Sequence, residues 1–449
     1  MIRNPLFTKV LMICLLTLLL LVPLGMIQSK ISERQSLQHD VQQDIARSSS
    51  GPQTISGPYL VIKYKLREHY TTKDSDGVSR TTITESGVQE TVLAPHDMKI
   101  TGDADVETRS RGIYQARLFN LHSAITGGFV VPQGYGINRA IADIIPVSAD
   151  LVMKVSDSRG IRNAPVLTLN GSKHEFAPGG VSPLSGNGIH VSLGILEAAE
   201  SHAFSFDFPL ELQGMTTLAV TPTGNTTEMS LKSPWPHPSF GGSYLPRSRT
   251  VDANGFSAQW LVTNLARNSA PIRNNANAAM EDVQESAADS FSVDFINPVN
   301  VYLLSERAVK YGVLFVVLVF TSFFMFEVLR NLRIHPMQYL LVGLALAMFF
   351  LLIISLSEHM AFLAAYVISG AACASLIGIY LAGVLKNRKP ALAFSGGIVL
   401  LYAVLYGVLQ SEDNALLMGT LVMFTALAAV MMLTRRMDWY GLNAAENAV

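Results

Sequence analysis

Apolar and polar positions separate along this chain on two length scales. On the longer scale, six stretches are almost wholly apolar: residues 10–27, 309–328, 337–356, 360–385, 391–409 and 415–433. A membrane-spanning helix needs about 20 such residues, at ~1.5 Å each, to cross a ~30 Å hydrocarbon core. Each stretch therefore predicts a span. Residues 30–308, between the first and second, carry nearly all of the charge. On the shorter scale, Ile31, Leu37, Val41 and Ile45 recur at helical spacing through 31–47, where there is no Pro or Gly. This predicts a helix that continues out of the membrane until Gly51-Pro52 stops it. From Gly57 onward the pattern becomes β-type. Runs at 59–66, 91–93, 112–118, 151–155, 166–169, 189–193, 217–220, 228–231, 256–262 and 291–295 are separated by Gly, Pro, Asn and Asp. Short strands joined by turns, largely antiparallel and packed as two sheets, account for that pattern. Residues 267–289, rich in Ala, Asn and Glu with few large apolar side chains, read as a surface loop.

The basic residues orient the spans. Arg3 and Lys9 precede the first, Arg330 and Arg333 follow the second, Lys386, Arg388 and Lys389 follow the fourth, and Arg435 and Arg436 follow the sixth. The opposite turns hold Glu358 and His359, and Glu412 and Asp413, with no Lys or Arg. Positive residues in short loops stay cytoplasmic, so both termini are expected in the cytoplasm and residues 28–308 outside. Arg307 and Lys310, at the outer end of the second span, run against the trend, but long exported domains cross largely regardless of local charge. A cleaved signal peptide would also start basic and apolar. Gln28-Ser29-Lys30 offers no small-x-small cleavage site, so the first span is read as a retained anchor.

The resulting fold class is a polytopic α-helical membrane protein of six transmembrane helices, with a large β-rich (α+β) exported domain between the first and second. Residues 1–29 form the N-terminus and signal anchor, 30–56 an amphipathic helical linker and 57–308 the β-rich domain. Residues 309–434 form a bundle of five helices and 435–449 a cytoplasmic tail.

Composition narrows the function. Apolar residues make up 49% of 449 and charged residues 15%, well below the ~25% usual for soluble domains. A net charge of −1 with no dense basic patch gives no footing for nucleic acid. The two cysteines, Cys14 and Cys373, both lie in apolar runs, which leaves no disulfide framework and no Cys-based zinc site.

A search for chemistry finds no HExxH, no Walker loop, no GxSxG and no GxGxxG opening a helix. His39, His69, His96, His122, His174, His190, His202 and His237 are scattered, none paired at metal-ligand spacing. The Asp157-Ser158-Arg159-Gly160 string reads as a surface turn, since Asp and Ser bond their own backbone there. The most unusual segment is 233–246, with four prolines, two adjacent glycines, Trp235, His237, Phe240 and Tyr244. Its prolines predict a non-regular backbone. The aromatics suit either a plug at one end of the β-domain, the preferred reading, or a partner-contact surface. Within the spans, Glu327 falls near a cytoplasmic end and Glu358 and His359 at the outer rim. Gly370, Ala374, Gly378 and Ala382 form a small-xxx-small ladder that suits close helix packing. Tyr402 and Tyr406 sit on the fifth span with nothing nearby to suggest a path. No catalytic, cofactor-binding or metal-binding residue is assigned.

Certain strings carry a family resemblance: Asn4-Pro-Leu-Phe7, Ser50-Gly-Pro-Gln53, Arg111-Gly-Ile-Tyr114, Asp157-Ser-Arg-Gly-Ile161, Trp235-Pro-His-Pro-Ser-Phe240 and Ala258-Gln-Trp260. The densest is His335-Pro-Met-Gln-Tyr-Leu-Leu-Val-Gly343, continuing to Leu356-Ser-Glu-His359; Gly378-Ile-Tyr380 and Asp438-Trp-Tyr440 follow. On these the chain resembles the CreD family of bacterial inner-membrane proteins from end to end, more weakly over about 65–230. The resemblance implies a role in cell-envelope integrity, colicin tolerance and the response to cell-wall stress, under a two-component Cre-type regulon. It brings no catalytic residues, cofactor or transported substrate. The expected function is thus non-enzymatic, at the inner membrane with a periplasmic domain. The partners would be the lipid bilayer and, through that domain, envelope proteins or cell-wall components. A transporter or flippase-like protein with a gating domain is the alternative, and an envelope enzyme acting on lipid or peptidoglycan the least favoured.

Overall fold

The computed structural model describes residues 5–73, 79–267, 289–296, 300–330, 334–384, 388–411 and 415–435. The expected loop at 267–289 falls almost wholly outside them, as do Arg3, Arg333, Lys386, Glu412, Asp413 and Arg436, which helped orient the spans. Two compact units divide the chain: residues 40–298, and residues 1–39 together with 299–449.

The first unit is built on two sheets. The strands are β1 (Gln53–Lys73), β2 (Ser79–Glu85), β3 (Gln89–Leu93), β4 (Asp97–Arg111), β5 (Tyr114–Val131), β6 (Ile144–Val155), β7 (Val166–Leu169), β8 (Ser172–Glu175) and β9 (Ala177–Pro178). They continue as β10 (Gly188–Gly194), β11 (His202–Met215), β12 (Thr217–Thr221), β13 (Thr226–Ser233), β14 (Pro238–Gly242), β15 (Ser248–Asp252), β16 (Gly255–Thr263) and β17 (Phe291–Phe295). One sheet has nine strands along β14-β17-β12-β1-β6-β10-β9, with β2 and β3 also pairing with β1. The other has eight, in the order β15-β16-β13-β4-β5-β11-β7-β8. Most pairs are antiparallel; β1 with β12 and β13 with β4 are parallel.

Alternation explains the packing. Along β4, Met98, Ile100 and Ala104 are buried while Lys99, Thr101 and Asp103 face out, as a strand with one face on a core requires. Phe256, Ala258, Trp260 and Val262 of β16 and Phe206, Phe208, Leu210 and Leu212 of β11 do the same. They meet Leu60, Ile62, Leu151, Met153 and Leu218 of the other sheet in one core. β1 is covered on both faces, since Tyr59 and Val61 pack with Val92, Val152 and Leu184. That is why Tyr59-Leu-Val-Ile62 is continuously apolar rather than alternating.

The second unit is helical. α1 (Pro5–Ser48) begins in this unit, and its last residues belong to the first. α2 (Val301–Lys310) and α3 (Gly312–Arg330) are bent by 43° at their junction. α4 (Pro336–Ser357), α5 (Phe362–Val384), α6 (Arg388–Gln410) and α7 (Ala415–Thr434) follow. By length and composition four of these helices can cross a membrane, or five if α2 and α3 count as one span, while the apolar part of α7 is shorter, 417–432. α4 shows how the sequence starts a helix. His335 Nδ1 accepts from Met337 N at 3.2 Å, Gln338 Oε1 accepts from His335 N at 3.2 Å, and Pro336 fills the first turn. Reciprocal capping satisfies donors that a helix start leaves orphaned, and Pro suits that turn.

Candidate functional site

Two polar clusters of the helical unit are built on α1, one around Lys9 and one around Arg34 and Gln35. Glu327, on α3, has a side chain only 3% exposed. Lys9 Nζ donates to its Oε1 at 2.8 Å, Ile334 N donates to the same oxygen at 3.0 Å, and Tyr339 OH donates to Oε2 at 2.8 Å. Three donors from α1, from the chain just before α4 and from α4 itself thus converge on one carboxylate. Tyr339 is fully buried, its ring against Phe320 and Phe323 at 5.6 and 4.7 Å. A buried charge needs this kind of saturation by hydrogen bonds and an opposite charge.

The second cluster surrounds Glu358 and Glu306. Arg34 Nε lies 3.4 Å from Glu358 Oε1, which also accepts from Tyr302 OH at 3.2 Å. Glu306 accepts from Gln35 Nε2 at 3.3 Å and from Lys310 Nζ at 2.9 Å. Between the clusters α1 lies close against the bundle. A Cβ at Gly343 would stand 2.2 Å from Leu20 Cδ1 and 2.9 Å from Phe320 Cζ, and one at Gly312 would stand 3.3 Å from Leu24 Cδ2. From Lys9 to Arg34 is about 38 Å of helix at 1.5 Å per residue, slightly more than a ~30 Å hydrocarbon core. Sequence reasoning set Glu327 aside as terminal. The available signal was a lone acid in an otherwise apolar helix, which in a membrane is a functional candidate by default.

The packing ladder lies on α5. Gly370 and Ala374 are buried, with Tyr402 and Phe349 in ordinary contact distance of a Cβ at Gly370. Gly378 is half-buried, and a Cβ there would lie 2.6 Å from Ser395 Oγ of α6; Ala382 is also half-buried. Ser395 Oγ donates to Ala374 O at 2.6 Å. Tyr366 OH donates to Tyr402 O at 2.7 Å, Tyr402 OH to Cys373 Sγ at 3.0 Å, and the Tyr406 ring lies 5.1 Å from that of Tyr366. The polar groups of these helices thus bond one another.

In the β unit, the proline segment is more regular than expected: Pro238–Gly242 is β14, paired with β17. The register supplied by Phe291–Phe295 overrides the local Pro and Gly content. Trp235, Phe240 and Tyr244 are half-buried and lean on the main core, while His237 is exposed. Trp235 Nε1 donates to His237 O at 3.1 Å, with the Arg117 guanidinium 5.0 Å over its ring. Phe240 sits separately, edge-on to Phe256 and Trp260, and Tyr244 OH donates to Asp289 Oδ2 at 3.3 Å. Burial and the Asp289 carboxylate push the Tyr244 phenol up.

A further cluster grips the last turns of α1. Arg159 Nη2 and Nε donate to the Asp157 carboxylate at 2.6 and 2.9 Å, and Arg159 Nη1 donates to Arg47 O. Arg159 beside it, helped by the Arg159 and Gly51 amides, holds the Asp157 carboxyl below the usual aspartate range. Gln53 Nε2 donates to Asp157 O at 2.9 Å and Ser50 Oγ to Gln213 O at 2.7 Å, so two separated strings meet at one place. Gly160 is required there, because a Cβ would lie 2.2 Å from Gln53 Nε2 and 2.3 Å from Gln213 O. Ile45 of α1 packs on Ala116 and Leu118, and Arg111 pairs with Asp44 at 3.3 Å. Among the described residues, no group of three or more His, Cys, Asp or Glu could hold a metal ion.

Comparison with known proteins follows this geometry. The model of the family described as Inner membrane protein CreD matches residues 5–440. Inner membrane protein CreD of Escherichia coli (strain K12) is 36% identical over 443 residues, covering 99% of this chain and 96% of that one. Likeness to solved structures is faint. An M1 zinc metallopeptidase from Deinococcus radiodurans aligns at 10% identity with TM-score 0.20, over 45% of this chain and 42% of that one. Yeast LTA4 hydrolase in complex with Bestatin aligns at 9% identity with TM-score 0.19, over 46% of this chain and 29% of that one. The chain therefore spans under half the length of these enzymes.

Proposed function

This chain belongs to the CreD family of inner membrane proteins, and from that premise we propose that it is a non-enzymatic protein supporting cell-envelope integrity under colicin and cell-wall stress, made under a two-component Cre-type regulon. In this reading the six apolar helices span the inner membrane with both termini in the cytoplasm. The β unit stands in the periplasm, where it meets envelope proteins or cell-wall components.

One observation carries the non-catalytic, non-transporting reading. The only acid buried in the helical unit's described residues, Glu327, has both oxygens bonded by Lys9, Ile334 N and Tyr339. A carrier site keeps a coordination position open for its cargo, whereas both oxygens of this carboxylate are already bonded by the protein, as in a clasp. The same residue also supports a second reading, a transporter or flippase-like protein, because intramembrane carboxylates commonly mark substrate or proton paths. Complementation separates the two. In a strain lacking its own copy, the wild-type protein should restore tolerance to colicin and to cell-wall-active antibiotics. Under the clasp reading, Glu327→Gln restores tolerance in proportion to how much protein reaches the membrane. Wild-type abundance with tolerance abolished would overturn the clasp reading in favour of transport.

A further inference from the structure

Among the described residues, α7 is the one helix of its unit with no buried side chain. Its half-buried stripe includes Gly419, Val422, Ala426 and Val430, three or four residues apart, while Leu421, Phe424 and Leu427 are exposed. These small side chains leave a groove between α7, α3 and α6. Tyr311 at the α2–α3 junction, Leu318 of α3, Leu401 and Val408 of α6, and Gly419 and Val422 of α7 are among its walls. Tyr311 to Leu318, like Leu401 to Val408, is seven residues, so the groove runs about 10 Å along both helices. Its lining is apolar apart from the Tyr311 hydroxyl, and its volume is about 30 Å³. An apolar cavity stays dry, and one of ~150 Å³ takes benzene. A groove this narrow excludes a ring and admits a single hydrocarbon chain.

Tyr311 fixes which charged groups stand at one end. Tyr311 N donates to Arg307 O at 3.3 Å and Phe315 N to Tyr311 O at 3.0 Å, so helical bonding passes through the bend between α2 and α3. Arg307, four residues before Tyr311, therefore lies one turn away on the same face, and Lys310 directly precedes Tyr311. α2 carries these two cations against one acid, Glu306, which pairs with Lys310 Nζ at 2.9 Å. Both cations run against the trend of the short loops, and nothing in the packing of α2 accounts for them. Surplus positive charge beside an apolar groove matches a phosphodiester above an acyl chain.

We propose that the α3–α6–α7 groove binds one acyl chain of an anionic phospholipid, whose phosphate is held at Arg307 and Lys310. Lipid reaches the groove because the family is one of inner membrane proteins; neither the orientation of the helices nor a role in envelope integrity enters. The bound chain fills the contact that α7 leaves open.

Native mass spectrometry of the purified full-length chain in detergent tests this, with phosphatidylglycerol as the probe and phosphatidylethanolamine of the same chains beside it. One phosphatidylglycerol should be retained saturably, and phosphatidylethanolamine severalfold more weakly. A Cβ at Gly419 would stand 3.9 Å from Tyr311 Cε1, an ordinary contact, so Gly419→Leu extends a side chain into the groove without forcing the backbone. Val422→Phe fills it from the next turn. Each should cut retention of both lipids severalfold while the chain stays monodisperse. Arg307→Gln combined with Lys310→Gln should keep the chain bound and abolish the preference for phosphatidylglycerol. Unchanged retention in Gly419→Leu and Val422→Phe would overturn the groove as the site. Retention that climbs without saturating, equally for both lipids, would mean a lipid shell only and overturn it too. A preference that survives the double variant would overturn the assignment of the phosphate to Arg307 and Lys310.

Discussion

Replacing Glu327 by alanine leaves three donors without their acceptor, and the structure sets what each loss costs. Tyr339 is fully buried and Ile334 nearly so, so neither its hydroxyl nor its amide regains a water. An orphaned buried donor costs about 1–3 kcal/mol, which puts the pair at about 2–6 kcal/mol. Lys9, with a side chain 37% exposed, can turn to solvent, and its share is held to the ~0–1 kcal/mol of a screened pair. Glu327→Gln keeps one acceptor oxygen but turns an NH2 toward the other donor, for about 1–3 kcal/mol. Lys9→Met takes the counter-charge from a buried carboxylate, which costs about 3–5 kcal/mol where both partners are buried and less here because Lys9 is part exposed. Glu327→Ala should therefore do the most damage, and Glu327→Gln and Lys9→Met less. The damage is read as the temperature at which the solubilised full chain loses its monodisperse peak after heating, and as membrane abundance in cells. If Lys9→Met proves as damaging as Glu327→Ala, charge pairing rather than donor satisfaction holds the clasp and this reasoning fails.

Gly343→Leu should destabilise the bundle by the ~1–3 kcal/mol of an overpacked interior, and more than Gly378→Leu. Leu20 and the Phe320 ring both crowd a Cβ at 343, whereas the crowding atom at 378 is the rotatable Ser395 hydroxyl; equal melting shifts would contradict this. Trp235→Ala should cost about 1–3 kcal/mol, less than the ~3–5 kcal/mol of a fully buried aromatic, because its ring is half-buried under Arg117. Unchanged stability with stress tolerance lost would make it a partner contact instead. Asp157 has a folded-state pKa below its ordinary value, chiefly through Arg159, so its contribution is present above the unfolded value near 3.9 and disappears as pH falls through the lowered one. Acid melts should show that loss in the wild type, and Asp157→Asn should flatten it. Reporter fusions after Lys30 and Glu358 should read as periplasmic and after Lys389 as cytoplasmic, and a cytoplasmic signal at Glu358 would remove a span from the topology.

The helices were the legible part of the chain, because twenty apolar residues in a row admit few alternatives. Four of the six apolar stretches picked out by hydropathy, 10–27, 337–356, 391–409 and 415–433, each lie within one helix, while 309–328 is broken at Tyr311 between α2 and α3 and 360–385 overlaps α5. The bend between α2 and α3 was not legible. α2 starts where Asn300 caps it, accepting from Tyr302 N at 3.0 Å, and it buries Tyr302, Ser305, Ala308 and Val309 on one face. Its polar half hid it from a count of apolar residues. Ten strand positions were legible, whereas β2, β4, β8, β9, β11, β14 and β15 were not, and neither were most strand lengths. β1 runs on through Arg67–Lys73, which is exposed and polar, because β2 pairs with it there residue by residue. The parallel match of Gln53–Ser56 with Leu218–Thr221 joins segments far apart in sequence and leaves no local pattern.

The candidate site was half visible for the same reason. Glu327 and Lys9 are 318 positions apart, and neither alone signals a clasp. The densest string of the family resemblance, His335–Gly343, held the missing information in its spacing. Residues four apart on a helix share a face, and Tyr339 and Gly343 are four apart. Tyr339 closes the hydrogen-bond set of Glu327, and one turn further on Gly343 makes room for Leu20. His335 and Gln338 set where the helix begins and hence its phase. With the start fixed by capping, one face of α4 is committed to receiving α1, first by a hydroxyl and then by the absence of a side chain. Moving that start by a single residue would turn Tyr339 away from Glu327 by about 100° and carry Gly343 off Leu20 by the same angle, so the two contacts stand or fall together.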